Sequence, residues 1–411
     1  MSALALHGGP PALQDLGDFP AWPQPDDAGE AALLEVYRSG KWGSTAGPVV
    51  ADFEQEFAQY QDSTYGTALV NGTLAIVAAL RACGVGLGDE VIVPPYTFIA
   101  TASAALFIGA IPVFADVDPQ THLLDPEASA AAITERTRAI IPVHLAGRAA
   151  DMDAFRELGR SRGIAVVEDC AQAIGTRFRG RAVGSLGDVG TFSFQSSKNI
   201  TAGEGGLVTT SDPALAEALY SQVNVGRVRG GGWYQHQHVG YNLRLTEFQA
   251  AVLRTQLRRH PADQELREHR SQLLRAELDQ VEGVQLAPSD PNLTSHGHHL
   301  FLLRLPELGR LGLRDAAVKA LAAEGVAASP GYVPLHRNEA VVAEARALTS
   351  RLGQPYAQTP CPQADLVSTD TIWLPHRYLS GTEEQTRAVA AAIAKVAGAA
   401  GELDGGTPAQ T

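Results

Sequence analysis

Between residues 64 and 210, short apolar, β-branched runs alternate with alanine- and leucine-rich stretches: "TALV", "EVIVP", "IPVFADV", "AIIPVHL", "AVVEDC", "GTFSF" and "GLVTT". Parallel strands need long crossovers, which helices supply, so this alternation predicts an α/β domain around a largely parallel sheet. Strands covered on both faces read as unbroken apolar runs rather than as alternating ones. The extreme case is "VIVPPYTFIATASAALFIGAIPVFA" (91–115), which carries no charge over a span long enough to cross a bilayer. Pro94, Pro95, Gly109 and Pro112 divide it into strand, turn, helix and strand, so no membrane span is expected.

A chain of 411 residues is long for one hydrophobic core, and two domains are the expectation. The helical stretch "LTEFQAAVLRTQLRRHPADQELREHRSQLLRAELDQ" (245–280) is long enough to lead out of the first domain. Beyond it, "HLFLLRL", "LRDAAVKALAAEG" and "EEQTRAVAAAIAKVAG" suggest a smaller α+β domain. The expected division is an N-terminal segment 1–39, a large domain 40–258, a small domain 259–397 and an unstructured tail 398–411. A net charge of −13 argues against nucleic acid or an anionic membrane as partner and for small molecules. Cys83, Cys170 and Cys361 are far apart and lack metal-type spacing, as expected in a reducing cytoplasm, and the first twenty residues lack the basic start and apolar core of a secretory leader.

Lysine is scarce: Lys41, Lys198, Lys319 and Lys395 are the only four among 32 basic residues. Lys198 stands in "TFSFQSSKNITAGEGG" (191–206), with no other charge between Asp188 and Glu204. An ammonium beside a buried strand carries a desolvation cost. An amine can shed its proton on burial and attack a carbonyl, which a guanidinium cannot. The other reading, a lysine whose stem lies along the core while its head reaches water, stays open from this residue alone.

Ligands of open α/β sheets sit at the carboxyl ends of the strands. There, "ALVNGTLAIVAALRAC" places Gly72 and Thr73 between a strand and a helix start, either an anion site or an ordinary capped turn. "AVVEDCAQAIG" ends a strand in Glu168 and Asp169, carboxylates that are either solvated at the sheet edge or held to a cation. Together these pieces meet the needs of pyridoxal phosphate: a lysine to bond the cofactor, a carboxylate for its ring nitrogen, donors for its phosphate and an aromatic face. The candidates are Lys198, Asp169, the Gly72–Thr73 turn with the Ser193 hydroxyl, and Phe98.

The chain resembles the DegT/StrS-type family of sugar aminotransferases through "NGTLAI" (71–76), "VIVPPYTFIATASA" (91–104), "PVFADVD" (112–118), "AIIPVHLAG" (139–147), "VVEDCAQAIG" (166–175), "GDVGTFSFQSSKNITAGEGG" (187–206) and "GYNLRLTEFQAA" (240–251). The resemblance implies the aspartate-aminotransferase-like fold type I of pyridoxal-phosphate enzymes. By position it makes Lys198 the cofactor-binding lysine, Asp169 the partner of the ring nitrogen, Gln172 a contact to the ring face or phenolic oxygen, Ser193 a phosphate ligand and Phe98 the stacking aromatic. It also implies that Asn242 reaches the phosphate of the neighbouring subunit's cofactor, hence a homodimer with shared sites. Some members carry histidine in place of the lysine and dehydrate sugars; this chain keeps Lys198. "QSSKNITAGEGG", "FPAWPQPDD" and "IWLPHRYLSG" resemble the branch that aminates cyclic ketones, the aminocyclitol aminotransferases and aminohydroxybenzoate synthases. Asn199 is common in nucleotide-sugar members. The implied activity is transfer of an amino group from glutamine or glutamate to the ketone of a cyclitol or sugar. A nucleotide-linked keto sugar as acceptor, a dehydratase or lyase, and a non-catalytic sensor are the alternatives.

"HQH" (236–238) and "HGHH" (296–299) lack a carboxylate or cysteine at ligand spacing, so no metal is expected. His144 and His336 are candidates to line a polar pocket, or else structural histidines. Arg177, Arg179 and Arg181 read as a solvated hairpin face. "GRVRGGGWYQ" (226–235) reads as a loop able to close over substrate, and "GSTAGP" (43–48) borders the pocket by its position in the family.

Overall fold

The computed structural model describes residues 3–356 and 359–404. In chain order the strands are β1 (Tyr65–Leu69), β2 (Glu90–Val93), β3 (Ile111–Phe114), β4 (Thr137–Ile140), β5 (Ala165–Asp169), β6 (Arg177–Phe178), β7 (Arg181–Ala182), β8 (Val189–Ser193) and β9 (Gly206–Thr210). Three more follow: β10 (Leu293–Ser295), β11 (Leu300–Arg304) and β12 (Thr371–Pro375).

The seven apolar runs form one seven-stranded sheet in the order β1-β9-β8-β5-β4-β2-β3. β3, β2, β4, β5 and β8 pair in parallel, while β9 runs against both of its neighbours, β8 and β1. Six strands therefore point the same way, and the segments leaving β1, β2, β5 and β8 emerge at a common edge. That edge is where the predicted site residues lie.

Side-chain alternation sends each strand into two cores. Val91 and Val93 enter one, and Ile92 enters the other. The helix Gly72–Ala82 fills the first core and buries Ala75 through Leu80 without a polar face, as a helix packed on several sides must. In the second core, Phe53 and Phe57 of the helix Val49–Tyr60 meet Phe192 and Phe194 of the β8 region, with ring centroids 4.9–5.4 Å apart across the two elements. Each such ring contributes about 2–3 kcal/mol of burial. The uncharged run 91–115 resolves into β2, the helix Ala100–Phe107 and β3, and among the described residues no helix is long and apolar enough to cross a membrane.

The helix Glu247–Leu278 runs unbroken through residue 258 and holds Pro261 inside it. Its start is fixed by a capping box between Thr246 and Gln249. Leu253, Leu257, His260, Gln264, Arg267, Ser271, Leu274 and Leu278 are buried at alternating spacings of three and four, so one inward stripe continues past the proline. That continuity explains why the expected boundary near 258 falls inside a helix rather than in a linker.

β11 and β12 form an antiparallel pair packed by the helices Arg314–Ala323 and Glu383–Ala397. The N-terminal segment belongs to this body: Leu4 is fully buried there, and Glu324 accepts from Ala5 N, Ala12 N and Lys395. The tail expected to lack structure from 398 instead forms a short helix, Ala400–Asp404, whose Leu403 packs into the same core. Residues 405–411 lie outside the described residues.

Candidate active site

At the common sheet edge a cavity of about 640 Å³ brings together Gly72, Thr73, Phe98, Asp169, Gln172, Ser193 and Lys198. Asn71 caps the helix that follows β1, its Oδ1 accepting from Leu74 N at 2.9 Å. The first amides of that helix, Gly72 and Thr73, have no intrahelical acceptor and face the positive end of the helix dipole. Ser193 closes on this turn so tightly that a Cβ on Gly72 would stand 2.7 Å from the Ser193 Cβ. Glycine is required there for proximity, and the Ser193 hydroxyl joins the amides at one end of the cavity.

Asp169 ends β5 and is 5% exposed. Its carboxylate accepts from Thr101 Oγ1 at 2.9 Å and Ala171 N at 3.1 Å, and its backbone is tied to Pro142 O and His144 N. Burial pushes its pKa up, against the pull of those two donors and of Lys198. Lys198 sits in the turn after β8, with its amide bonded to Gln195 O at 2.8 Å. Burial pulls its amine down to about 8, opposed by the charge of Asp169. A buried acid held ionised with difficulty and an amine eager to shed its proton thus share one cavity. The charged form of Asp169 would gain from a cation beside it, and the neutral form of Lys198 has a lone pair free to bond a carbonyl.

Gln172 accepts from Ala146 N at 2.7 Å and donates to Tyr332 Oη at 3.0 Å, which fixes its amide orientation. Tyr332 packs edge-on against Trp373, with centroids 4.3 Å apart. Phe98 is 55% exposed at the opening, its ring 6.4 Å from that of Tyr332. Asn242 is not in the cavity: it is exposed and bridges by backbone to Asn224.

The structure decides three readings that the sequence left open. His144 does not line the cavity; it is fully buried, its Nδ1 accepting from Ala150 N and its Nε2 donating to Glu168 at 2.9 Å. Glu168 is therefore not solvated, and it also accepts from Gly184 N, Leu186 N and Gly187 N. It is held because alternation turns it away from the face that Asp169 presents. His336 is buried with Asp365, 3.1 Å away, outside the cavity wall.

The histidines that do line the cavity are His299 and His376. The signal for both was their place: His299 precedes β11 and His376 follows β12, the paired strands that close the cavity from the small domain. His298 does have a carboxylate partner, Glu268 at 2.6 Å, supplied by the long helix and invisible in local spacing. Among the described residues, the cluster of potential metal ligands is His144, Glu168 and Cys170. Its members already bond one another or the backbone, and burial drives the Cys170 thiol far above its ordinary pKa, away from the thiolate a metal needs.

The fold and this cavity define a pyridoxal-phosphate-dependent aminotransferase of fold type I. The residues suit the cofactor: donors gather at one end for a phosphate, with an under-compensated carboxylate and a depressed amine beyond them. The chain belongs to the DegT/DnrJ/EryC1/StrS aminotransferase family, whose model matches residues 24–394. It is 39% identical over 384 residues to a 3-amino-5-hydroxybenzoate synthase of Amycolatopsis mediterranei (strain S699), covering 92% of this chain and 97% of the other. It is 38% identical over 427 residues to an L-glutamine:2-deoxy-scyllo-inosose aminotransferase of Streptoalloteichus tenebrarius, covering 97% and 99%. A crystal structure of 3-amino-5-hydroxybenzoic acid synthase superposes with a TM-score of 0.84 at 38% identity, covering 92% of this chain and 98% of that one.

Proposed function

We propose that the chain transfers the amino group of glutamine to the ketone of a cyclitol, using Lys198 and Asp169 as its catalytic pair. The carrying observation is their presence in one cavity with opposed shifts, Lys198 lowered to about 8 and Asp169 raised. Donor and acceptor class rest on the relatives' names, which pair L-glutamine with an inosose.

When bound, the cofactor supplies an electron sink that stabilises negative charge on the carbon losing its proton. The chain's own groups do the rest. Gly72 N, Thr73 N and Ser193 Oγ would hold the phosphate. The Asp169 carboxylate, held in line by Thr101 and Ala171, would keep the ring nitrogen protonated. Gln172, braced by Ala146 and Tyr332, would contact the ring face or phenolic oxygen, and Phe98 at the opening would cover the ring. Lys198 Nζ, poised near neutrality, takes the proton from the amine-bearing carbon of the donor and later returns one to the carbon of the acceptor.

Asn242 is exposed and outside the lining of its own chain's cavity, which fits a role in a second chain's site and a homodimer as the working form. Three cysteines without disulfides suit a cytoplasmic enzyme. The alternative acceptor, a nucleotide-linked keto sugar, rested on Asn199. That side chain is buried and bonded to Gly297 O at 2.7 Å, so packing accounts for it without reference to the acceptor.

Two experiments test the reading. Addition of L-glutamine to loaded enzyme converts the cofactor to its amine form, and 2-deoxy-scyllo-inosose then restores the starting absorbance. Failure of glutamine and glutamate alike rejects the aminotransferase, and failure of the ketone alone rejects the acceptor. For the dimer, Lys198→Ala and Asn242→Ala chains are co-assembled. One of the two sites then escapes both lesions, and activity returns in the mixed dimer only if Asn242 acts across the interface.

A further inference from the structure

His299 has no place in the chemistry above, yet its surroundings fix it closely. It is 5% exposed, lies in the cavity wall with Lys198, and its Nδ1 is 3.1 Å from Asn199 Oδ1. The orientation of Asn199 is itself determined: Nδ2 donates to the carbonyl of Gly297 at 2.7 Å and lies 3.4 Å from that of His298. Two backbone carbonyls demand the amide's N–H groups, so Oδ1 must face the ring, and an amide oxygen can only accept. The proton of the imidazole therefore sits on Nδ1. Burial and the neighbouring Lys198 and His376 hold the ring well below the ordinary histidine pKa, so it carries no second proton. What remains is the Nε2 lone pair. It has no partner among the described residues and is not enclosed as a buried unpartnered atom.

We infer that His299 Nε2 is a fixed hydrogen-bond acceptor for a hydroxyl on the carbon beside the acceptor's ketone, and so selects α-hydroxy ketones. This deepens the proposed function and rests on it. Lys198 must reach the carbonyl carbon, and His299 shares the cavity with it closely enough to feel its charge, so we place against Nε2 the hydroxyl that flanks the carbonyl. The rest of the wall is suited to a compact uncharged ring: Tyr332, Trp373 and Phe98 are aromatic, His376 is held neutral by burial, and no arginine lines the cavity among the described residues. His376 cannot duplicate the role, because its Nε2 donates to Ser197 O at 3.2 Å and its Nδ1 is enclosed. A site built to bond a substrate hydroxyl rejects the analogue lacking it, since the acceptor, covered by the bound ring, is left unpaired.

The test compares 2-hydroxycyclohexanone with cyclohexanone as acceptors for the amine-loaded enzyme, with 2-deoxy-scyllo-inosose as the control for competence. Wild type is expected to favour the hydroxylated ketone by about tenfold or more in kcat/KM. His299→Leu should bring that ratio close to one, mainly by slowing the hydroxylated ketone. Asn199→Ala, which releases Nδ1, should lower the ratio part of the way. A variant that slows both ketones equally and keeps the ratio has a structural defect and overturns the proposal. Independently of turnover, the imidazole ¹⁵N spectrum, assigned by its loss in the His299→Leu protein, should display a neutral ring protonated on Nδ1 between pH 6 and 9. A ring protonated on Nε2, or charged at pH 7, also overturns it. An enzyme idle on the inosose control would count against the proposed function, and the spectrum would then decide on His299 by itself.

Discussion

Gly72 and Ser193 are in near contact across the cavity's anion-binding end, close enough that any side chain on Gly72 would meet the Ser193 Cβ at 2.7 Å. A strand end and a helix start are thus pressed together, and the hydroxyl of one reaches the free amides of the other. Gly72→Ala should force them apart by several tenths of an ångström, more than a flexible side chain could absorb. The expected result is at least a tenfold weaker hold on pyridoxal phosphate with a smaller change in thermal stability. Titration of apoenzyme with the cofactor measures the first, and a melting curve the second. Unchanged affinity would mean the phosphate is held elsewhere.

Lys198→Ala should abolish turnover while the fold persists, because removing a buried amine relieves desolvation. Circular dichroism and a glutamine half-reaction check the two halves. Retained activity would remove Lys198 from the mechanism.

The amine's position also predicts a pH dependence. Only the neutral amine bonds a carbonyl, and burial has lowered the pKa of Lys198 to about 8. Covalent capture of pyridoxal phosphate by the apoenzyme should rise about tenfold per pH unit below 8 and level off above it. An ordinary lysine, with a pKa of about 10.4, would still be rising at pH 10. Stopped-flow absorbance from pH 6 to 10 separates the two, and a rise continuing to pH 10 would contradict the assigned burial.

Asp169→Asn keeps the shape of the side chain and its bond from Thr101 but loses the charge that protonates the ring nitrogen. Proton transfer in the glutamine half-reaction should slow by about a hundredfold or more, the scale on which acid–base groups act, and binding of the cofactor should weaken. An unchanged half-reaction rate would leave Asp169 a structural residue.

Glu168, one residue earlier, should behave in the opposite way. It gathers His144 and three backbone amides in a region without solvent. Glu168→Ala strands all four donors and should cost about 3 kcal/mol or more in stability. Urea denaturation of the apoenzyme measures this; a loss under 1 kcal/mol would mean that water or rearrangement satisfies the donors.

The contrast between Glu168 and Asp169 marks the limit of what was legible in the amino-acid sequence. Period-two alternation makes it certain that neighbouring strand residues face opposite sides, but not which side holds the ligand. The seven sheet strands were legible because each is a short apolar run flanked by turn residues. Lys198 was legible because an isolated amine next to a buried strand is costly and this chain avoids lysine elsewhere. His299 and His376 were not, because β11 and β12 lie more than a hundred residues beyond the first sheet strands and reach the cavity only through domain packing. For His144 the sequence left a pocket role and a structural one open, and Glu168 and Ala150, which consume both ring nitrogens, decide for the second.

The helix Glu247–Leu278 bears on how this protein can be taken apart. Its inward stripe serves the large domain at Leu253 and Leu257 and the small domain at Leu274 and Leu278, with Pro261 between. Neither half is complete without its portion of the stripe. Chimeras with a relative that exchange the small domain, and with it His299, keep each part of the stripe with its own core only if the joint lies inside the helix near Pro261. A joint beyond residue 278 would leave Leu274 and Leu278 facing a foreign domain, and moving the whole helix would do the same to Leu253 and Leu257.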